Sequence, residues 1–330
     1  MKSFLEGKRV VFICVKSFNF EGLIVNRLSD MGAIVRYFDE RPTNTLYEKS
    51  IIRFKKRLLA KRIATYYNCI LDKLEDFNPD YLFVIRGEVV PEFFLKTFKN
   101  RWIQAKMIFY NSDSFLNNPN PMKLLSYFNK AATFDIIDAK KNNLAYIPLF
   151  YDDFYINQNT QFNKRQLDLS FIGTLHSDRA VVLEKLLRQI STDSKIYIFF
   201  YTHGLLGFIY FIFSAKRLNL RVLKNLNFKP LSTNQTRNLF LNSKVIIDTE
   251  HPKQSGLTSR TIEALGARCK LITTNRNILE ADFYNPKNIL LVNRNNPVIT
   301  NEFISETPSF NEDVRKKYTL TNWLTLLLED

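Results

Sequence analysis

Three cysteines in 330 residues, Cys14, Cys69 and Cys269, lie far apart among apolar neighbours. An odd, scattered set gives no disulfide framework and reads as buried thiols in a reducing compartment. Histidine is as scarce, at 176, 203 and 251, so no metal-ligand spacing is legible and no metal site is expected. The opening MKSFLEGKRVVFICV has no long apolar region ending in a cleavage site; its apolar run reads as a first strand, and a cytoplasmic location is expected. No G-x-G-x-x-G follows that strand, which argues against a dinucleotide cofactor at the first turn. Short repeats and low-complexity tracts are missing too. One uncharged run, 196–215, is long enough to raise a membrane span. Thr202-His203-Gly204 breaks it into a strand-like aromatic half and a short apolar half, and a span there would separate residues 173 and 263 across the membrane. We expect none.

Acid is the scarcer charge. Subtracting 32 acidic from 47 basic residues leaves +15, which implies an anionic neighbour: nucleic acid, acidic lipid or a phosphorylated substrate. No RNA- or DNA-binding module is recognisable, so nucleic acid is not the expected partner. Residues 49–62, KSIIRFKKRLLAKR, gather Ile51, Ile52, Phe54, Leu58 and Leu59 on one sector of a helix ringed by Lys and Arg. Two readings stay open there, a helix lying on an anionic membrane surface and a helix packed on its own sheet. The apolar segment 205–213 is a second candidate for the membrane surface. At this length two domains are the prior, and we divide the chain into 1–158 and 159–330 around a polar, aperiodic linker at 157–166.

Both halves read as alternating strands and helices. In the first, an apolar strand at 9–15, a loop at 17–22 carrying Ser17, Phe18 and Asn19, a helix at 22–31 and a strand at 33–38 make a βαβ opening. Strand 81–85 ends in Arg86-Gly87-Glu88, and strand 107–110 ends in Asn111-Ser112-Asp113-Ser114. Functional polar groups in open α/β sheets collect at the carboxyl ends of strands, which singles out Arg86, Glu88 and Asp113. Asp113 could act as a general base toward a hydroxyl, or serve only as a turn former or helix cap. In the second half, strand 167–172 turns at Gly173-Thr174-Leu175-His176-Ser177-Asp178-Arg179, where Gly173 permits close backbone approach and Thr174, Ser177 and Arg179 offer donors to phosphate oxygens.

The most informative stretch is HPKQSGLTSRTIEALGARCKLITTN, 251–275. Gln254, Ser255 and Gly256 make a small entry, Thr258 or Ser259 can cap a helix over 260–267, and 270–274 turns apolar and β-branched as a buried strand would. A helix start after such a loop presents unpaired N–H groups to a phosphate. Lys253 and Arg260 flank it, and Glu263 lies one turn on, where a carboxylate could meet ribose hydroxyls. The plainer alternative is an ordinary βα crossover with a solvated Arg and Glu.

The segment resembles the donor-site helix of GT-B glycosyltransferases, whose pattern is a glutamate, seven residues, then a second glutamate opening a small-apolar run. Glu263-Ala264-Leu265 matches the second half and Gly256-Leu257 the preceding Gly-Leu. Ser255 stands where the first glutamate would fall, so no role of that glutamate is carried over. The whole chain resembles CgeB-like bacterial glycosyltransferases associated with capsule and lipopolysaccharide, through FIGTLHSDR at 171–179, HPKQSGLTSRTIEALGA at 251–267 and DFYNPKNI at 282–289. The resemblance implies two Rossmann-like doubly wound α/β domains facing across a cleft, the first for the acceptor and the second for a nucleotide-sugar donor, with the last helix crossing back onto the first. It implies donor contacts at Gly173, Thr174, Arg179, Lys253, Gln254, Gly256, Leu257, Thr258 and Glu263, and catalytic parts for Arg260, Glu88 and Asp113. Ser17, Phe18, Asn19 and Arg86 would serve a glycan or lipid-linked glycan acceptor. The chain lacks the Asp-X-Asp of metal-dependent glycosyltransferases, so no metal or other cofactor is expected. The rival reading is a protein of this fold that binds a nucleotide or glycan without turnover.

Overall fold

The computed structural model describes residues 3–43, 56–158, 160–175, 177–202, 204, 224–252 and 254–329. Most of the proposed basic helix, the apolar segment 205–213, His176, His203 and Lys253 lie outside them. The chain forms two compact units, Met1–Pro148 with Leu320–Asp330, and Leu149–Thr319.

The first unit is built on six parallel strands: β1 (Arg9–Cys14), β2 (Ile34–Asp39), β3 (Tyr81–Ile85), β4 (Lys106–Asn111), β5 (Lys130–Thr133) and β6 (Ala145–Tyr146), in the order β2-β1-β3-β4-β5-β6. Central strands of a parallel sheet are covered on both faces. Hence β1 after Arg9, VVFIC, and β3, YLFVI, are runs of apolar residues with almost no exposure. The covering helices show apolar residues at helical spacing. Ala60–Lys73 buries Ile63, Tyr67, Ile70 and Leu71, and Glu92–Arg101 buries Phe94, Leu95 and Phe98. The final helix, Leu320–Leu328, packs in this unit through Leu320, Trp323, Leu324 and Leu327. Trp323 stands edge-on to Tyr110, 4.8 Å between ring centres, and Arg27 donates to the Thr321 hydroxyl at 2.6 Å.

The second unit has a sheet of its own, with β7 (Leu167–Thr174), β8 (Ile196–Tyr201), β9 (Leu226–Asn227), β10 (Ser243–Asp248), β11 (Lys270–Thr273) and β12 (Ile289–Leu291), all parallel in the order β12-β11-β10-β7-β8-β9. Counted within the unit and read from β9, this is the 3-2-1-4-5-6 order of dinucleotide-binding folds. The order reverses between β7 and β10, and in the first unit between β1 and β3. Ligands of open α/β sheets bind beyond the strand ends at such points.

The segment expected to be a polar linker is built into the second unit. Arg165 is buried and donates to the carbonyls of Ser243 and Ala267, both at 2.6 Å, and to Cys269 Sγ at 2.9 Å. Phe162 is buried beside it in sequence. Upstream, Tyr151 and Tyr155 enter the core, with Tyr151 N–H on the Tyr318 carbonyl at 2.9 Å. Gly266 permits this, because a β-carbon there would run into the Tyr151 ring. No described helix is long and apolar enough to cross a membrane.

Candidate functional site

At the switch point of the second unit, polar groups converge from three strand ends. The helix foreseen in 251–275 runs Ser259–Gly266, with Thr258 as its cap, its hydroxyl accepting from the Thr261 N–H at 3.3 Å. The same hydroxyl donates to Asp248 Oδ2 at 2.6 Å, joined there by Thr261 Oγ1 at 2.9 Å, while Arg260 Nε donates to Asp248 Oδ1 at 2.9 Å. Asp248, the last residue of β10, is fully buried. Burial alone would raise its carboxyl, but Arg260, Thr258 and Arg179 hold it below the usual carboxylate range.

Arg179 needs a correction. Expected to offer its guanidinium to phosphate oxygens, it is buried, with Nε on the Thr249 carbonyl at 2.8 Å and Nη1 on the Thr174 carbonyl at 3.3 Å. It ties the ends of β7 and β10 together, and burial beside Arg260 pushes it down to about 9. Arg294, which the sequence did not single out, clamps the other side. It grips both oxygens of Asp178 at 2.7 and 2.8 Å and reaches Glu250 Oε1 at 2.6 Å; Thr274 donates to Glu250 Oε2 at 2.5 Å.

The entry loop is held by its carbonyls. Asn275 and Asn277 donate to Ser255 at 3.3 and 2.8 Å, Asn275 also to Gly256 at 3.0 Å, and Leu257 is buried. The Gln254 N–H closes a turn on the His251 carbonyl at 2.9 Å. Gly173 has a packing reason of its own, since a β-carbon would meet the Phe171 ring at 2.9 Å. Glu263 stands apart, half-buried in the second helical turn. Burial, opposed by Arg260 and reinforced by Asp152, pushes its carboxyl up to about 7. Asp152 pairs with Arg237, whose guanidinium lies 4.5 Å from the Phe154 ring centre. The structure therefore brings Thr174, Arg179, Thr258 and Arg260 around the ends of β7 and β10 and leaves Glu263 beside Asp152.

The first unit gathers a second group at its switch point. Arg86 follows β3 with its backbone in the left-handed region, φ 78°, and so does Gly87, φ 63°. The kink is pinned by Arg86 N–H on the Tyr110 carbonyl at 3.0 Å, and by Asn118 and Asn120 donating to the carbonyls of Arg86 and Gly87 at 3.0 and 2.9 Å. Arg86 Nη2 lies 3.7 Å from Glu88 and 3.5 Å from Asp113, bringing all three predicted residues together. Asp113 also accepts from the Ser114 N–H at 2.9 Å and from Asn117 Nδ2 at 3.3 Å, as a turn former does. Behind them are two residues that the sequence did not flag, Arg41, paired with Glu88, and Glu40, fully buried. Both lie just past β2, so the strand-end rule that marked Arg86 could have marked them. Ser17, Phe18 and Asn19 occupy the exposed loop after β1, with Phe18 and Asn19 left-handed and the Ser17 N–H bound by Glu21 Oε2 at 3.0 Å. Among the described residues no cluster of three or more metal-ligating side chains occurs.

No family sequence profile matches the chain, and no curated protein matches it by sequence. Solved structures do match. A trehalose-6-phosphate synthase, studied for glycosyl transfer with retention, superposes with TM-score 0.59 at 11% identity, over 97% of this chain and 98% of that one. The sucrose-phosphate synthase of Thermosynechococcus elongatus gives 0.55 at 8%, over 86% of each. The UDP-N-acetylglucosamine 2-epimerase of Rickettsia bellii gives 0.54 at 11%, over 97% and 95%. The class these likenesses define is the α/β GT-B fold, two Rossmann-like domains in one chain.

Proposed function

We propose that the protein is a glycosyltransferase, hexosyltransferase-like and metal-independent, that moves a sugar from a nucleotide-sugar donor to a hydroxyl of a glycan or lipid-linked glycan. The observation that carries this reading is the Thr258-capped helix start, set at the carboxyl edge of a 3-2-1-4-5-6 sheet beside Arg260. Free N–H groups of a helix start attract the leaving diphosphate. Arg260, with Nε fixed on Asp248, would present its Nη groups to the charge that develops there, helped by Lys253; Thr174, Gln254, Gly256 and Leu257 would shape the pocket. Arg179 would act from behind, through the strand ends. Glu263 would take the ribose hydroxyls, and Asp113, with Glu88, Arg86 and the 17–22 loop, would handle the acceptor in the first unit. For setting we propose bacterial surface polysaccharide or lipopolysaccharide assembly at a cytoplasmic membrane face, on the resemblance of segments 171–179, 251–267 and 282–289.

A thermal-shift panel of nucleoside diphosphates and nucleotide sugars tests the donor site. A ligand at a hundred times its dissociation constant stabilises the native state by about 2.7 kcal/mol. One nucleotide should raise the melting temperature of the wild type and leave folded Arg260→Gln and Glu263→Gln unmoved. Product analysis then separates the outcomes. A sugar on an added acceptor supports transfer, an epimerised nucleotide sugar without acceptor replaces it with the chemistry of the Rickettsia bellii neighbour, and binding without turnover favours the inactive module.

A further inference from the structure

Glu40 has no part in the reaction just proposed. Its side chain has no exposed surface, and one oxygen, Oε1, accepts the Val89 N–H at 2.6 Å. The other oxygen, Oε2, is buried without a partner among the described residues. An orphaned carboxylate oxygen in an apolar setting favours the protonated acid. Arg86, the counter-charge that acts on it most strongly, is loosely held. Among the described residues its Nε is buried without a hydrogen bond, and its two ion pairs, at 3.5 and 3.7 Å, are longer than charge-assisted bonds at their best. A non-glycine residue held at φ 78° is strained, and strain of this kind gathers where a side chain must be aimed.

We propose that Glu40 is a positioning residue whose proton decides how Arg86 is shared: neutral, it leaves the guanidinium to Glu88 and Asp113; ionised, it draws the guanidinium inward and frees Asp113 to take a proton. The exchange is Glu40–COOH to Glu40–COO⁻, with the proton passing to solvent. Other groups face Glu40 as well, the Cys14 thiol from β1, the Tyr67 hydroxyl from the Ala60–Lys73 helix, and Arg41 and Glu88 at its flank. Burial, against the Val89 hydrogen bond and Arg86, pushes the acid up to about 7, so the exchange falls near neutral pH. The inference bears on the proposed reaction, because Asp113 is the group it regulates there.

The test starts without substrate. In isotope-edited infrared titration of the whole protein carrying Glu263→Gln, which removes the other carboxyl raised to about 7, one carboxyl should titrate near pH 7 and vanish when Glu40→Gln is added, a change that keeps an acceptor for Val89 N–H and mimics the neutral acid. In the same background Arg86→Met should move that band upward. Because the folded value lies above the unfolded one, wild type loses stability as pH rises from about 4.5 to about 7. The folding constant of Glu40→Gln relative to wild type should therefore grow on the order of a hundredfold over that range. If the band persists in Glu40→Gln, or Arg86→Met leaves it unmoved, the proposal is overturned. Turnover then separates the two readings. A nucleotide sugar transferred with the same pH profile in wild type and Glu40→Gln sinks the role of Glu40 and keeps the transferase. A band lost in Glu40→Gln with no transfer from any nucleotide sugar keeps the proton switch and sinks the transferase.

Discussion

Asp248 and Glu40 are both fully buried carboxylates at or just past the ends of parallel strands, yet they titrate in opposite directions. The burial penalty is common to both. What differs is the company. Asp248 has two hydroxyls and a guanidinium within 2.9 Å, so each of its oxygens is satisfied. Among the described residues Glu40 has one backbone N–H and an unpartnered oxygen. The second unit's group is a closed network that holds strand ends and a helix start in place, while the first unit's group has slack, with long ion pairs and a strained backbone. Rigid charge suits holding a ligand's fixed charge, and slack suits a proton that must move.

The largest effect should come from opening the closed network. Asp248→Ala would strand Arg260 and two hydroxyls in a partly dry site, at a cost of about 3–5 kcal/mol in urea unfolding. The wild-type contribution should be fully present above the usual aspartate value near pH 4 and fade as pH falls through the depressed folded value. A loss under 1 kcal/mol would make the two groups alike and end the contrast.

Glu263 carries the opposite sign within the same unit. Its carboxyl is raised to about 7, so ionised Glu263 weakens the fold, and the weakening grows from about pH 4.5 to 7. Glu263→Gln should be more stable than wild type at pH 8, by about 2 kcal/mol after allowance for its partial exposure, and equal to it near pH 4. Unfolding curves at the two pH values check this. Destabilisation at pH 8 would show that the carboxylate has a partner and belongs with Asp248. Next comes Thr258→Ala, which removes a helix cap and one of the donors to Asp248; about 1–2 kcal/mol should be lost, and Thr258→Ser should restore most of it.

Chain-local features of both groups were legible in the sequence, and long-range ones were not. The Thr258 cap and the Ser259–Gly266 helix follow from residue types within a few positions of each other. Strands such as β1 and β3 announce themselves as apolar runs. By contrast, Arg165 lies in a polar stretch that reads as linker, and its acceptors come from Ser243 and Ala267, far along the chain. Arg294 is a loop residue until the fold sets Asp178 and Glu250 around it. Arg179 shows the reverse error. Its place after a glycine turn is phosphate-like in sequence, but the carbonyls of Thr249 and Thr174 claim it once β10 lies beside β7.

The smallest stability effect should fall on Asp113, and it separates the two kinds of site most cleanly. Its carboxylate is part-exposed and 3.5 Å from Arg86, a geometry worth roughly 0–1 kcal/mol. Asn at this position keeps an oxygen for the Ser114 N–H, so Asp113→Asn should leave the unfolding midpoint nearly unchanged. If Asp113 is the base of the proposed transfer, the same variant should lower the rate by about 10²–10⁴. A drop in rate without a drop in stability is what a loosely held functional carboxylate gives and what Asp248 cannot, because no substitution there leaves the network standing. A drop in stability of 3 kcal/mol or more with the rate preserved would place Asp113 among the structural carboxylates and reverse its assignment.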